Sequence, residues 1–204
     1  MNILALGAHP DDIEFGCAGT LAKYANNGHT VFLMIMTKGE KGGDAEERAT
    51  EQKKARDILM AKKVFWGGFQ DTFPPPQKDQ IDKIERIIED VDPNMIFVNF
   101  ADDTHQDHRD LARALNSAAR NIRNVMYYEV PSTQNFTPKV FVDIEKFMDI
   151  KKQALMAHHS QMMKTNIEGL SILEISRSLA NYRGIQARIR FAEGFCPERL
   201  MINL

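Results

Sequence analysis

Two short segments concentrate side chains that can hold a metal ion or move a proton. The first is Ala8-His9-Pro10-Asp11-Asp12-Ile13-Glu14-Phe15-Gly16; the second is Ala101-Asp102-Asp103-Thr104-His105-Gln106-Asp107-His108-Arg109. Imidazole and carboxylate donors without a thiolate suit Zn²⁺, with Fe²⁺ or Mn²⁺ as alternatives. A catalytic zinc ion takes three protein donors and keeps one position open, and two histidines with one aspartate would supply them. Pro10 stiffens the first turn and holds His9 and Asp12 at a fixed spacing. Asp11, between those two, is then free to act as a base towards water. Each group also has a plainer use. Asp11 and Asp12 suit a helix start, where the macrodipole favours acids, and His105, His108, Asp102, Asp103 and Asp107 suit a solvated loop. The chemical reading therefore depends on whether the fold brings the two segments together.

The order of elements says that it does. Nearly uncharged runs at 2–7, 30–37, 63–66, 95–100 and 125–128 read as buried strands, separated by helical patterns at about 12–27, 45–60 and 110–122. A further helix before Pro93 carries Ile81, Ile84, Ile87 and Ile88 on one face. The last third reads as a loop at 129–138, a strand at 140–144, helices at about 145–159 and 170–182, and a final strand near 188–195. Strand–helix alternation predicts an α/β fold, a Rossmann-like three-layer sandwich whose mostly parallel sheet runs 3-2-1-4-5 with C-terminal strands added. In that order the first and fourth strands are neighbours and their helices leave on opposite faces. Ligands of such sheets bind outside the carboxyl ends of the strands at this switch point, where both His/Asp segments begin. With no repeat, low-complexity stretch or linker, residues 1–204 are expected to form a single domain.

Bulk composition excludes several other classes. The 204 residues are 43% hydrophobic and 26% charged with a formal net charge of −2, so no basic field points to nucleic acid or an anionic membrane. No run of about 18 apolar residues suggests a membrane span, and the N-terminus does not read as a signal peptide. Cys17 and Cys196 stand far apart, and a reducing, cytoplasmic setting is expected.

At the two His/Asp segments the sequence resembles the PIG-L/LmbE-like family of zinc-dependent N-acetylglucosamine deacetylases. His9-Pro10-Asp11-Asp12, with Ile13-Glu14-Phe15-Gly16 and Gly19-Thr20-Leu21, is similar to its first motif, and His105-Gln106-Asp107-His108 to its second. Arg48, Glu51 and Ala55 match a helix pattern, Lys152, Ala154, Leu155, His158, Ser160 and Gln161 a late-helix pattern, and Arg183-Gly184 with Ala192-Glu193-Gly194-Phe195 the C-terminal signature. The placement of Glu14 after Ile13 resembles the bacillithiol-pathway branch. The resemblance implies His9, Asp12 and His108 as zinc ligands, Asp11 as general base, His105 as the group that stabilises or protonates the transition state, and Asp107 as its orienting partner. It further implies that Arg48 reaches the substrate, while Arg183 binds substrate or pairs with an acid. Leu170 stands where some relatives have an oxyanion-assisting Tyr.

The implied reaction is hydrolysis of an acetamide on an N-acetylglucosamine-type sugar to a free amine and acetate. The leaving amine takes its proton from Asp11 or His105, and the linked group is open among a glycosyl-malate, a chitobiose-like sugar and a lipid- or nucleotide-linked sugar. Loops 38–43, 71–76 and 129–138 are expected around the entrance, and Tyr127, Tyr128 and Phe136 either stack on a sugar or pack in the core. A homo-oligomer, as in many relatives, is compatible with the sequence. Two rivals remain: hydrolysis of another bond such as a phosphoester, which commonly uses two metals, and a nucleotide-binding module, against which the two acids and the missing GxGxxG both count.

Overall fold

The computed structural model describes residues 1–72 and 77–202. The elements run β1 (Asn2–Gly7), α1 (Asp12–Asn26), β2 (Thr30–Ile35), α2 (Ala45–Ile58), β3 (Lys63–Trp66), α3 (Gln77–Val91), β4 (Met95–Asn99), α4 (Gln106–Ala118), β5 (Val125–Tyr128), β6 (Val140–Asp143), α5 (Met148–Met156), α6 (Ile172–Ala187) and β7 (Ala192–Arg199). The strands form one seven-stranded sheet in the order β3-β2-β1-β4-β5-β7-β6. The first five are parallel, and β7 joins antiparallel to both β5 and β6. The expected α/β three-layer architecture and its 3-2-1-4-5 core are therefore present.

Alternation along β1 shows why the sheet is covered twice. Ile3 and Ala5 pack with Leu21 of α1 and Ala154 of α5 on one face, whereas Leu4 and Leu6 pack with Ile84 of α3 and Leu111 and Leu115 of α4 on the other. A strand buried on both faces must be apolar at every position, which is why these runs carry almost no charge.

Three boundaries differ from the sequence expectation. Helix α4 starts at Gln106, because His105 is extended and caps it, so His108 lies in the first helical turn. Helix α6 runs on to Ala187 and stops where Arg188 takes a left-handed conformation, which delays β7 to Ala192. The single helix expected at 145–159 is a 3-10 turn at Glu145–Phe147, then α5, then a second 3-10 turn at His159–Gln161.

Close packing beneath the site depends on one glycine. Gly16 lies flat on the ring of Tyr128, and a Cβ there would stand 2.0 Å from Tyr128 Cδ2. Tyr128 is fully buried and its hydroxyl donates to the Leu6 carbonyl at 2.7 Å. Gly16→Ala is therefore expected to destabilise the fold by about 1–3 kcal/mol through overpacking, read as a lower urea midpoint. An unchanged midpoint would show that Tyr128 can yield.

Candidate metal centre

The chain leaves β1 through a sharp turn in which Asp11 holds φ 96° and ψ −25°. A residue with a Cβ seldom adopts this left-handed geometry, and such strain collects at functional sites. Asp11 occupies the N-cap position of α1, yet its side chain makes no capping hydrogen bond. Its carboxylate is therefore not spent on capping and instead faces Arg48 Nη2 at 3.5 Å. Asp12 faces back into the turn, its Oδ2 accepting the His9 amide at 2.9 Å.

Loops from β1, β3 and β4 meet at the carboxyl edge of the sheet. His108 Nε2 lies 3.3 Å from Asp12 Oδ1, while its Nδ1 faces Asp103 Oδ2 at 3.1 Å. His9 Nδ1 lies 3.6 Å from Asp12 Oδ2, and its Nε2 faces Asp71 Oδ1 at 3.0 Å and Asp107 Oδ2 at 3.1 Å. Each imidazole thus has a carboxylate behind one nitrogen and turns the other towards Asp12. Carboxylates placed in this way orient metal-binding histidines. Enclosed His108 Nε2 has no hydrogen-bond partner among the described residues, as a metal-directed nitrogen requires. Ring nitrogens of His9, His105 and His108 lie within 4.8 Å of one another, as do donor atoms of His9, Asp71 and Asp107, and Asp12 faces both His9 and His108, so this cluster can hold a divalent ion.

The charges follow from this crowding. Burial pulls the His9 and His108 pKa values down, but the surrounding aspartates outweigh it, holding His9 well above its ordinary value and His108 at about 9. Asp12 is held well below the usual range, because the His108 and His9 cations overcome its desolvation. Burial pushes Asp11 up to about 6, with Arg48 opposing and Asp12 reinforcing the shift. His105 is pulled down by burial and then by the neighbouring His9 and His108.

His105 differs from expectation in its partner: the group facing its ring is the main-chain amide of Asp107, which lies 3.3 Å from His105 Nδ1. The Asp107 carboxylate is turned away, accepting from Thr72 N at 2.9 Å besides facing His9. With Nδ1 accepting, the ring proton sits on Nε2. The ring stacks on His108 with centroids 4.8 Å apart.

These groups line a cavity of about 550 Å³. Lys41 and Gly42, Asp71 and Thr72, and Val130 to Ser132 line it, as expected of the three loops, although 73–76 lie outside the described residues. Segment 161–172 adds Gln161, already noted in the late-helix pattern, and Lys164, Asn166 and Ile172, which the sequence did not flag. Arg48 also lines the cavity, but its guanidinium is engaged, donating to Gly39 O at 2.6 Å and Pro10 O at 2.8 Å and standing 3.5 Å from Asp11 Oδ2. A Cβ on Gly39 would fall 2.0 Å from that guanidinium, so the loop's close approach at this position requires glycine.

The family pattern described as PIG-L, GlcNAc-PI de-N-acetylase, matches residues 4–119, which include both His/Asp segments. The chain belongs to the PIG-L family. A relative described as an uncharacterized deacetylase, YaiS of Escherichia coli K12, is 37% identical over 78% of this chain and 91% of its own. Diacetylchitobiose deacetylase of Thermococcus kodakarensis is 26% identical over 95% of this chain and 81% of its own. The solved structure of a conserved protein from Thermus thermophilus superposes with a TM-score of 0.88 at 26% identity, over 99% of this chain and 96% of that one.

In this PIG-L chain two further expectations need correction. Arg183 is buried and spent on Glu129, with Nε–Oε1 2.6 Å and Nη2–Oε2 2.5 Å, and it does not line the cavity, so it pairs with an acid rather than reaching a substrate. Tyr127 and Tyr128 are core residues and Phe136 packs on Phe100, so none offers a sugar platform. Among described residues, Asp71 and Asp103 were not assigned their roles behind His9 and His108. Their position just beyond β3 and β4, on the ligand-bearing edge, was the available signal. Among the described residues no helix is long and apolar enough to cross a membrane.

Proposed function

We propose that this PIG-L deacetylase removes the N-acetyl group from an N-acetylglucosamine-type substrate, using zinc held by His9, Asp12 and His108. The observation that carries this reading is the convergence of two carboxylate-backed imidazoles on Asp12, beside an Asp11 carboxylate that caps no helix, all lining one cavity. Bound zinc supplies Lewis-acid polarisation of the acetamide carbonyl. Asp11 takes a proton from the attacking water, its carboxylate steadied by the Arg48 guanidinium. His105 donates its Nε2–H to the carbonyl oxygen as negative charge develops there. Asp11, now holding the proton taken from water, returns it to the leaving amine. The amide C–N bond breaks and the products are free amine and acetate.

The relatives support the sugar. One carries the name diacetylchitobiose deacetylase, and the cavity has room for a sugar beyond the acetamide. The test is a screen of zinc-loaded protein against N-acetylglucosamine, N,N′-diacetylchitobiose and N-acetylglucosaminyl hydroxy acids, measuring primary amine and acetate together. Equimolar amine and acetate from at least one sugar is the expected result. Failure with every sugar, alongside cleavage of a phosphoester by the same preparation, would sink the assignment.

A further inference from the structure

One buried ion pair takes no part in the chemistry above, yet it reaches into the helix that carries the site. Lys151 of α5 and Glu193 of β7 are both buried, with Nζ 2.6 Å from Oε1. Glu193 Oε1 accepts from the Gly19 amide at 3.0 Å and Oε2 from the Thr20 amide at 2.7 Å. The Lys151 ammonium donates to the Phe15 carbonyl. In an uninterrupted α-helix those two amides meet the carbonyls four residues back, Phe15 and Gly16. The ion pair thus presents its own partners to both sides of one turn in the middle of α1. Helix α1 nevertheless runs unbroken from Asp12 to Asn26, so these contacts hold a continuous element.

The consequence runs towards the cavity. The Phe15 amide donates to the Asp11 carbonyl at 2.9 Å, so two hydrogen bonds and one residue separate Lys151 from Asp11. The Phe15 side chain itself lines the cavity. Gly19 presses against Ile144 as Gly16 does against Tyr128, so this stretch is gripped on several sides at once.

We propose that Lys151 and Glu193 are positioning residues that set the first two turns of α1, and through them the aim of the Asp11 carboxylate and the Phe15 wall. The pair touches no reacting atom, and only its kinetic readout rests on the deacetylase reading. Removing one partner strands a buried charge and destabilises the chain for that reason alone. The informative variants are therefore the neutral double Lys151→Met/Glu193→Gln, and Glu193→Asp, which keeps the charge and withdraws it by one methylene. Both are expected to bind zinc at the native stoichiometry and to keep KM within about twofold, while kcat falls about tenfold or more, since small misplacements of a catalytic group cost that much. Amide exchange at Phe15, Gly19 and Thr20 is expected to quicken in both. Folded variants with native kcat would overturn the proposal. Should the native protein release no amine from any sugar, the reaction assignment fails separately, and unchanged exchange at the three amides would then refute the positioning role by itself.

Discussion

Asp11→Asn is expected to lower turnover about a thousandfold while leaving the metal content unchanged. The substitution removes a proton acceptor and little else. Asparagine tolerates the left-handed backbone better than most residues, which matters at φ 96°. It can still present an oxygen to Arg48 Nη2, now 3.5 Å from Asp11 Oδ2. Helix α1 loses no cap, because Asp11 provides none. The lost rate is therefore attributable to proton transfer rather than to folding. Amine release at saturating substrate, with zinc counted per chain, checks both halves. A variant keeping more than about a tenth of native turnover would assign the base elsewhere, given the usual size of general-base contributions.

His108→Ala is expected to abolish stable metal binding, weakening affinity by more than the roughly 10–100-fold seen for outer-shell partners. The ring joins Asp12 to Asp103 at 3.3 and 3.1 Å, and both carboxylates are buried. Without it the two acids lose their common partner, so a lower thermal midpoint is expected as well. His105→Ala provides the contrast. Its ring stacks on His108 but has only an amide behind it, so this variant should keep zinc and lose turnover about 10²–10³-fold. Chelator competition with both variants separates the two histidines. Native affinity in His108→Ala together with metal loss in His105→Ala would transfer the third ligand to His105, whose ring nitrogen is within reach.

How far each feature was legible depended on the distance over which it is determined. The central order of the sheet follows from uncharged strands alternating with helices, because a doubly covered strand tolerates no charge. The meeting of the β1 and β4 loops follows from that order, whereas the choice of His108 within the second loop rested on the family resemblance. Boundaries were harder, since they turn on single caps. His105 starts α4 by accepting the Asp107 amide, a histidine cap that residue type does not announce.

The types and spacing of residues by themselves determined the α/β class and the two His/Asp segments at one sheet edge, while Arg48 entered only through the family resemblance. Only the tertiary structure decided which carboxylate serves which imidazole. The Asp107 side chain serves His9 rather than the adjacent His105, Asp71 arrives from beyond β3, and Asp103 backs His108. It decided too that Arg183 belongs to Glu129, and that Lys151 rather than Lys152 is the buried lysine on α5. Spacing along the chain tells which residues share a loop or a helix face. A hydrogen bond depends on fractions of an ångström between loops that different strands deliver, and the packing of the sheet against its helices sets those fractions.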